Sequence, residues 1–270
     1  MSKIVLVTGA TDGIGKMTAQ RLAADGYEVI IHGRDQKRVD QAVAEIKKQT
    51  SATLHSSVFD LSSLADVKAG ALDLLKRFPK LDVVLNNAGT YQKERQLSKD
   101  GFELTMAINH LGPTLLTLLL KPSLKSSPAA RVIFVSSIAH NRGQMKQGNY
   151  NFETGFGAYE AYATSKLANV IATHKLAEAW TSDNIPIYSL HPGVITTKLL
   201  KIGFNVTGDS VYNGSNTSVY LATANLPANS NGEYFVDSKI APILALAKDE
   251  QEADAFWTWT MNSLQPFLSK

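Results

Sequence analysis

The chain has 270 residues, 44% of them hydrophobic, with 27 basic and 24 acidic side chains for a formal charge of +3. That is enough apolar material for one large core, and no Pro, Gly or Ser-rich stretch or charge block divides the chain, so a single domain over 1–270 is expected. The basic residues are dispersed and cysteine is absent. Nucleic acid is therefore not an implied partner, while disulfides, thiolate metal sites and a cysteine nucleophile are excluded and a reducing compartment, by default the cytoplasm, is expected.

The N-terminal run MSKIVLVTGA passes at once into glycine-rich sequence and lacks the pattern of a signal peptide, so residues 4–8 read as a strand. Residues 14–25 have helical period and end at Gly26. Further strands are predicted at 28–32, 53–59, 81–85, 131–136, 185–190 and 233–236, with helical segments between them. The apolar run 111–120 is interrupted by Gly112, Pro113 and two threonines and is far shorter than the ~20 residues of a membrane span. Seven strands separated by helices must run parallel, because each crossover returns the chain to the same end of the sheet. The expected fold is thus a doubly wound α/β sandwich, with helices on both faces of a seven-stranded parallel sheet. Ligands of such a sheet lie at the carboxyl ends of its strands.

The unusual residues fall at those ends. The first strand runs into TGATDGIG at 8–15, where glycines let the backbone approach a pyrophosphate at the next helix's N-terminus. A ligand-free tight turn is the competing reading of that segment. The second strand leads to Gly33-Arg34. Arg34, with Lys37 or Arg38, offers a guanidinium fork to a ribose 2′-phosphate, which favours NADP(H) over NAD(H), and Asp35 weighs against it. The third strand ends in Asp60-Leu61, where Asp60 alone reads equally as a helix cap, and the fourth in Asn86-Asn87-Ala88-Gly89.

The fifth strand delivers Ser136 and Ser137 to the same edge, and downstream Tyr162 and Lys166 stand four apart in a long helical segment. An i, i+4 pair shares a helix face, so the ammonium of Lys166 can approach the phenol of Tyr162 and favour its ionised form. A phenol with an ordinary pKa of about 10 needs such help to exchange protons near neutrality. Taken singly, the pair could arise by chance and the serines could be a plain strand end.

Together these segments resemble the short-chain dehydrogenase/reductase family: TGxxxGxG at 8–15, NNAG at 86–89 and YxxxK at 162–166, over residues 3 to about 240. The resemblance implies a Rossmann fold and hydride transfer between NADP(H) and a carbonyl or alcohol. It implies that Asn109 holds a water in a proton relay, that Ser137 polarises the carbonyl, that Tyr162 exchanges the proton, and that Lys166 binds the nicotinamide ribose and lowers the tyrosine's pKa. For the cofactor it implies contacts from Gly9, Ala10, Thr11, Asp12, Gly13, Ile14, Gly15, Arg34, Asp60, Leu61, Asn87, Tyr162, Lys166, Ile195 and Thr196. Within the family, HGRD, INHLG, VSSIAH and YATSKLANV resemble the retinol dehydrogenase and WW-domain oxidoreductase branch, which prefers NADP. Homodimers or homotetramers and a small-molecule carbonyl or alcohol substrate are also implied.

Residues 139–158 form a polar insertion beside the site, in which Tyr150, Phe152 and Phe156 could shape the substrate mouth. No membrane anchor is expected before residue 3, unlike many animal retinol dehydrogenases. A substrate-loop region is expected near 197–227. Within it, residues 197–211, with Leu199, Leu200, Ile202 and Phe204, are either a mobile apolar lid or a short helix packed on the body. The six histidines lack metal-site spacing, so no metal is expected. Trp257, Trp259, Phe256 and Phe267 form a core or subunit-interface cluster. A non-catalytic NADP(H) sensor of the same fold is the alternative to an enzyme, and the intact set Asn109, Ser137, Tyr162 and Lys166 favours the enzyme.

Overall fold

A computed structural model describes residues 2–204 and 206–268. Its eight strands are β1 (Ile4–Val7), β2 (Glu28–Gly33), β3 (Leu54–Val58), β4 (Val83–Asn86), β5 (Arg131–Val135), β6 (Ile187–His191), β7 (Tyr234–Val236) and β8 (Lys239–Ile240). The helices that matter most below are α1 (Gly13–Ala24), α2 (Gln36–Lys47), α3 (Leu64–Arg77), the short α4 (Leu104–Met106), α5 (Gly112–Lys125) and the long α6 (Ala158–Ala179). After β6 come α7 (Lys198–Phe204), α8 (Val211–Gly214) and α9 (Asn216–Thr223), and α10 (Glu250–Leu268) closes the chain.

The strands that carry Val, Ile and Leu runs are buried on both faces, as parallel strands covered by helices must be. Their order is β3-β2-β1-β4-β5-β6-β7-β8. The chain winds outward from β1 to β3, returns to place β4 against the other side of β1, and winds outward again. β1 and β4 are thus neighbours that leave in opposite directions, which opens a crevice above their carboxyl ends. Two apolar layers flank the sheet, one built around Leu6, Val84, Phe134 and α5, α6 and α10, the other around Val5, Val7, Ile31 and α1 and α2.

The sheet has one strand more than the seven expected. β8 runs antiparallel to β7 after a turn in which Asp237 and Ser238 both have left-handed backbone (φ 49° and 60°). A two-residue turn of that hand matches the twist of a hairpin, but Asp-Ser lacks the glycine that announces one in sequence.

The aromatic residues of the 139–158 insertion do not form the substrate mouth. Tyr150 and Phe152 are buried in the core, and Tyr150 stacks edge-on against Phe256 of α10 (5.2 Å) and near Trp259 (5.6 Å), while Phe152 meets Phe156. Burial of large aromatic surface against the C-terminal helix wins over exposure beside a cleft. Phe256 and Trp259 therefore belong to the core, the first of the two alternatives posed for that cluster.

His110, fully buried in a π-turn at Ala107–Leu111, bonds through Nε2 to Thr260 Oγ1 (2.9 Å) and so ties this turn to α10. Burial pushes this imidazole down to about 3 and that of His32 to about 4. An unfolded histidine titrates near 6.5, so between there and the folded values the unfolded chain holds protons the native one refuses. Stability is then full above pH 6.5 and declines as pH falls toward 4. Thermal melts at pH 7 and pH 4.5 should show that fall, with a shallower slope in His110→Gln. Melting temperatures unchanged over the window would contradict it.

Candidate active site

A cleft of about 1270 Å³ lies along the carboxyl edge of β1, β2, β4, β5 and β6, where the topology opens the sheet. Its floor is the turn from β1 into α1. Gly9 and Gly13 there have positive φ (65° and 55°), and a Cβ at Gly15 would stand 2.2 Å from Asn87 Nδ2 and 2.5 Å from the Gly9 carbonyl oxygen. Only glycine allows the turn to lie this close to the end of β4. Asp12 caps α1, accepting from the Gly13 amide (2.9 Å), and the helix begins at the cleft with its positive end toward it.

Thr8 and Asn87 clamp the two strand ends together. Thr8 Oγ1 accepts from the amides of Asn87 (3.0 Å) and Ala88 (3.1 Å), and Asn87 Nδ2 donates to the Thr8 carbonyl (2.8 Å). His32 on β2 does the same for the ends of β1 and β3. Its Nδ1 accepts from the Gly9 amide (3.4 Å), and its Nε2 lies 3.1 Å from the Phe59 carbonyl, which fixes the Nε2–H tautomer. A lone histidine in a strand gives no sequence signal of this role. The bond becomes visible only when Gly9 and Phe59 meet the ring.

Of the residues expected at the nucleotide, Gly9, Thr11, Asp12, Gly13, Ile14, Gly15, Arg34, Asp60, Leu61, Asn87, Ile195 and Thr196 all line this cleft. Ala10 does not. It is fully buried among Val5, Leu22 and Ile31, with its amide bonded to the His32 carbonyl (2.9 Å), because the residue after Gly9 turns inward between β1 and β2. Arg34 and Arg38 line the cleft and Lys37 is absent from its wall. Asp35, which weighed against a phosphate here, spends its carboxylate on the N-cap of α2, accepting from the Arg38 amide (2.8 Å). Asp60 folds back on the Ser62 amide (2.9 Å), and Ser63 is the cap of α3.

Tyr162 and Lys166 share one face of α6 at the centre of the cleft, with the Lys166 Nζ 5.6 Å from the phenol ring centroid. Lys166 Nζ also donates to the Val135 carbonyl at the end of β5 (3.0 Å), and the Ser137 side chain hydrogen-bonds the Tyr162 hydroxyl. Ser136 points away and donates to the Lys166 carbonyl (2.7 Å), which makes it a brace for α6. Asn109 is fully buried in the π-turn. Its side chain accepts from the Thr90 amide (2.7 Å) and donates to the Thr90 carbonyl (3.0 Å) and to Ser165 Oγ (2.9 Å). A Cβ on Gly89 would stand 3.4 Å from Lys166 Nζ and 3.5 Å from Asn109 Oδ1, so the two side chains approach the same point.

The expected activation of the phenol is not what the protein produces by itself. Burial pushes Tyr162 up to about 12, with the Ser137 hydrogen bond only partly opposing it, and the same desolvation pulls Lys166 down to about 8. Each shift disfavours the charged form, so burial outweighs the attraction that an i, i+4 pair would supply.

Residues 197–211, apart from residue 205, which lies outside the described residues, include a short helix of which Leu199 and Phe204 pack on the body while Ile202 stays exposed. α7 lays Phe204 on the ring of Tyr162 (5.9 Å between centroids), on Tyr91 (5.4 Å) and on Tyr159 (5.9 Å), and Leu199 joins this cluster. Lys198 bridges to Asp12 (2.5 Å), linking α7 to the glycine turn. Ile195 is buried and pairs with Asp209, and Thr196 Oγ1 donates to the Gly208 carbonyl (2.7 Å). His140 was also hidden from the sequence. Its Nδ1 lies 2.8 Å from the Ser137 carbonyl and its Nε2 accepts from the Leu244 amide (3.3 Å), so it holds the turn that carries Ser137.

Residues 3–203 match the family model for short chain dehydrogenases. Human retinol dehydrogenase 14 is 34% identical over 282 residues, covering 94% of this chain and 84% of that protein, and bovine retinol dehydrogenase 12 is 35% identical with the same coverage. Among solved structures, an uncharacterized protein of Mycobacterium paratuberculosis superposes with a TM-score of 0.81 at 28% identity, covering 97% of this chain and 93% of that one. A short chain dehydrogenase from Escherichia coli in complex with NADPH gives 0.71 at 26% identity, covering 86% of this chain and 95% of that one.

Proposed function

Because this chain belongs to the short chain dehydrogenase family, we propose that it is an NADP(H)-dependent oxidoreductase in which Tyr162 exchanges the proton with a carbonyl or alcohol substrate. What supports this most is the convergence of Tyr162, Lys166 and Ser137 on one point of the cleft whose floor is the glycine turn. That floor fits a dinucleotide: a Cβ at Gly15 would fill it, and the positive end of α1 faces the path of a pyrophosphate. Gly13 to Gly15 would hold the pyrophosphate, Arg34 the 2′-phosphate, Asp60 and Leu61 the adenine, and Asn87, Ile195 and Thr196 the nicotinamide side. A bound NADPH supplies the hydride.

The chain's own residues do the rest. Ser137 donates to the substrate carbonyl oxygen and holds it beside Tyr162, and the phenol gives its proton to that oxygen as the C–H bond forms. Lys166 lends positive charge beneath the phenol. Asn109, bonded to Thr90 and Ser165 around the same point, would hold the water of the proton relay. With its proton held up to about 12, Tyr162 is fully loaded as an acid at neutral pH, the form that carbonyl reduction requires.

A panel of aldehydes, ketones and quinones, followed at the NADPH absorbance, tests the reading, and no turnover across the panel would overturn it. For a substrate that is turned over, kcat/KM for reduction should be level from pH 6 to about 7. It should then decline with a midpoint near 8, where Lys166 sheds its proton. A decline on the acid side instead would assign the limiting group elsewhere.

A further inference from the structure

The cleft carries more positive charge than the nucleotide reading uses. Its wall holds seven Lys and Arg side chains and two acidic ones, Asp12 and Asp60, both at the glycine turn and adenine side. Most of the cations are accounted for. Lys16 pairs with Glu45, Arg38 and Lys198 with Asp12, and Lys166 with the Val135 carbonyl, while Arg34 is reserved for the 2′-phosphate. Arg142 and Lys201 remain. Neither has an ion-pair or hydrogen-bond partner among the described residues, although both line the cleft.

Their position is on the substrate side. Arg142 ends the turn Ile138–Arg142 that follows Ser137, and Ala139 of that turn packs on Tyr162. Lys201 is carried by α7, whose Leu199 and Phe204 pack on the same Tyr162. The two cations, both exposed, thus stand on two elements that pack on the phenol. Around them the mouth is apolar: Ile138, Tyr159, Val194 and Val206 line the cleft and are all exposed large hydrophobic side chains. An exposed apolar patch beside a proton donor marks where the body of a substrate lies. A neutral substrate filling that mouth would strip water from Arg142 and Lys201 and return nothing, whereas an anionic group would restore their solvation as charge-assisted hydrogen bonds.

Resting on the oxidoreductase reading, we infer that the substrate is an apolar aldehyde or ketone bearing a carboxylate, which Arg142 and Lys201 bind at the mouth of the cleft. The reaction stays balanced as before: hydride from NADPH to the carbonyl carbon, a proton from Tyr162 to its oxygen, and the carboxylate unchanged as a handle.

Paired substrates test this. NADPH-dependent kcat/KM is measured for 4-formylbenzoate and 4-formylcinnamate and for the methyl ester of each, in the wild-type protein, in Arg142→Gln/Lys201→Gln and in Arg142→Glu/Lys201→Glu. The quantity read is the acid-to-ester ratio within each protein, so a general loss of folding or nucleotide binding cancels. The expected wild-type ratio is about fivefold for at least one pair, as for two exposed but geometrically matched ion pairs. It should fall to about one in the double Gln variant, invert in the Glu variant, and shrink at 0.5 M salt, where the Debye length is only about 4 Å. Esters reduced as well as acids by the wild-type protein, or an acid preference that survives the double Gln substitution, would overturn the carboxylate handle alone. Absence of reduction for all four compounds and for the wider carbonyl panel would instead remove the oxidoreductase reading on which it rests.

Discussion

Tyr162→Phe is expected to lower kcat/KM for carbonyl reduction by about a thousandfold, close to 4 kcal/mol of transition-state stabilisation, while the Kd for NADPH changes by no more than about twofold. The substitution removes one oxygen and leaves the ring. The ring's contacts with Tyr91 (5.6 Å) and Phe204 (5.9 Å), and the packing of Ala139 and Ala163, all survive. The glycine turn belongs to β1 and α1, and the phenol oxygen is one contact among the many expected for the nucleotide, so its loss should leave most of the binding in place. Stopped-flow or steady-state rates combined with nucleotide fluorescence titration separate the two effects. If Tyr162→Phe keeps more than a tenth of the wild-type rate, another group is the acid.

Arg34→Ala is expected to weaken NADPH by about 10-fold to 100-fold and to leave NADH within about twofold, since a guanidinium on a phosphate contributes about 1.5–3 kcal/mol and a plain ribose hydroxyl offers it no comparable partner. Arg38 limits the effect. It lies 3.6 Å from Asp12 and lines the same stretch of cleft, so Arg34→Ala/Arg38→Ala should lose more than either alone. The position is well chosen for the test, because a Cβ on Gly33 would stand 2.6 Å from Thr11 Cγ2, which puts the end of β2 directly against the glycine turn. Equal losses for NADPH and NADH would mean that Arg34 holds the fold of the turn and not the 2′-phosphate.

The parts of the molecule that were legible in sequence are those written in local chemistry. Ile4–Val7 and Glu28–Gly33 declare themselves because β-branched runs bounded by glycine have few other uses, and TGATDGIG could be placed because positive φ demands glycine. The Tyr162 and Lys166 pair is a matter of helical spacing. What stayed hidden depends on partners far along the chain. Tyr150 finds its place against α10, about a hundred residues downstream, and nothing in a polar insertion says which surface its aromatic residues will meet. His32 and His140 act by bonding backbone groups of other segments, and a solitary histidine reads alike whether it faces water or holds an active-site turn. The direction of the tyrosine's shift was likewise a matter of depth: spacing put a cation nearby, and only the packed structure shows that burial outweighs it.

The ring of His32 has one more consequence. It bonds to Gly9 on one side and to Phe59 on the other, so a single neutral imidazole stitches together the tips of three adjacent strands. This end of the cleft is therefore preorganised: its shape is settled during folding, and an arriving ligand does not have to freeze three loose chain ends before it can be held. The entropy already surrendered there is free energy that binding keeps.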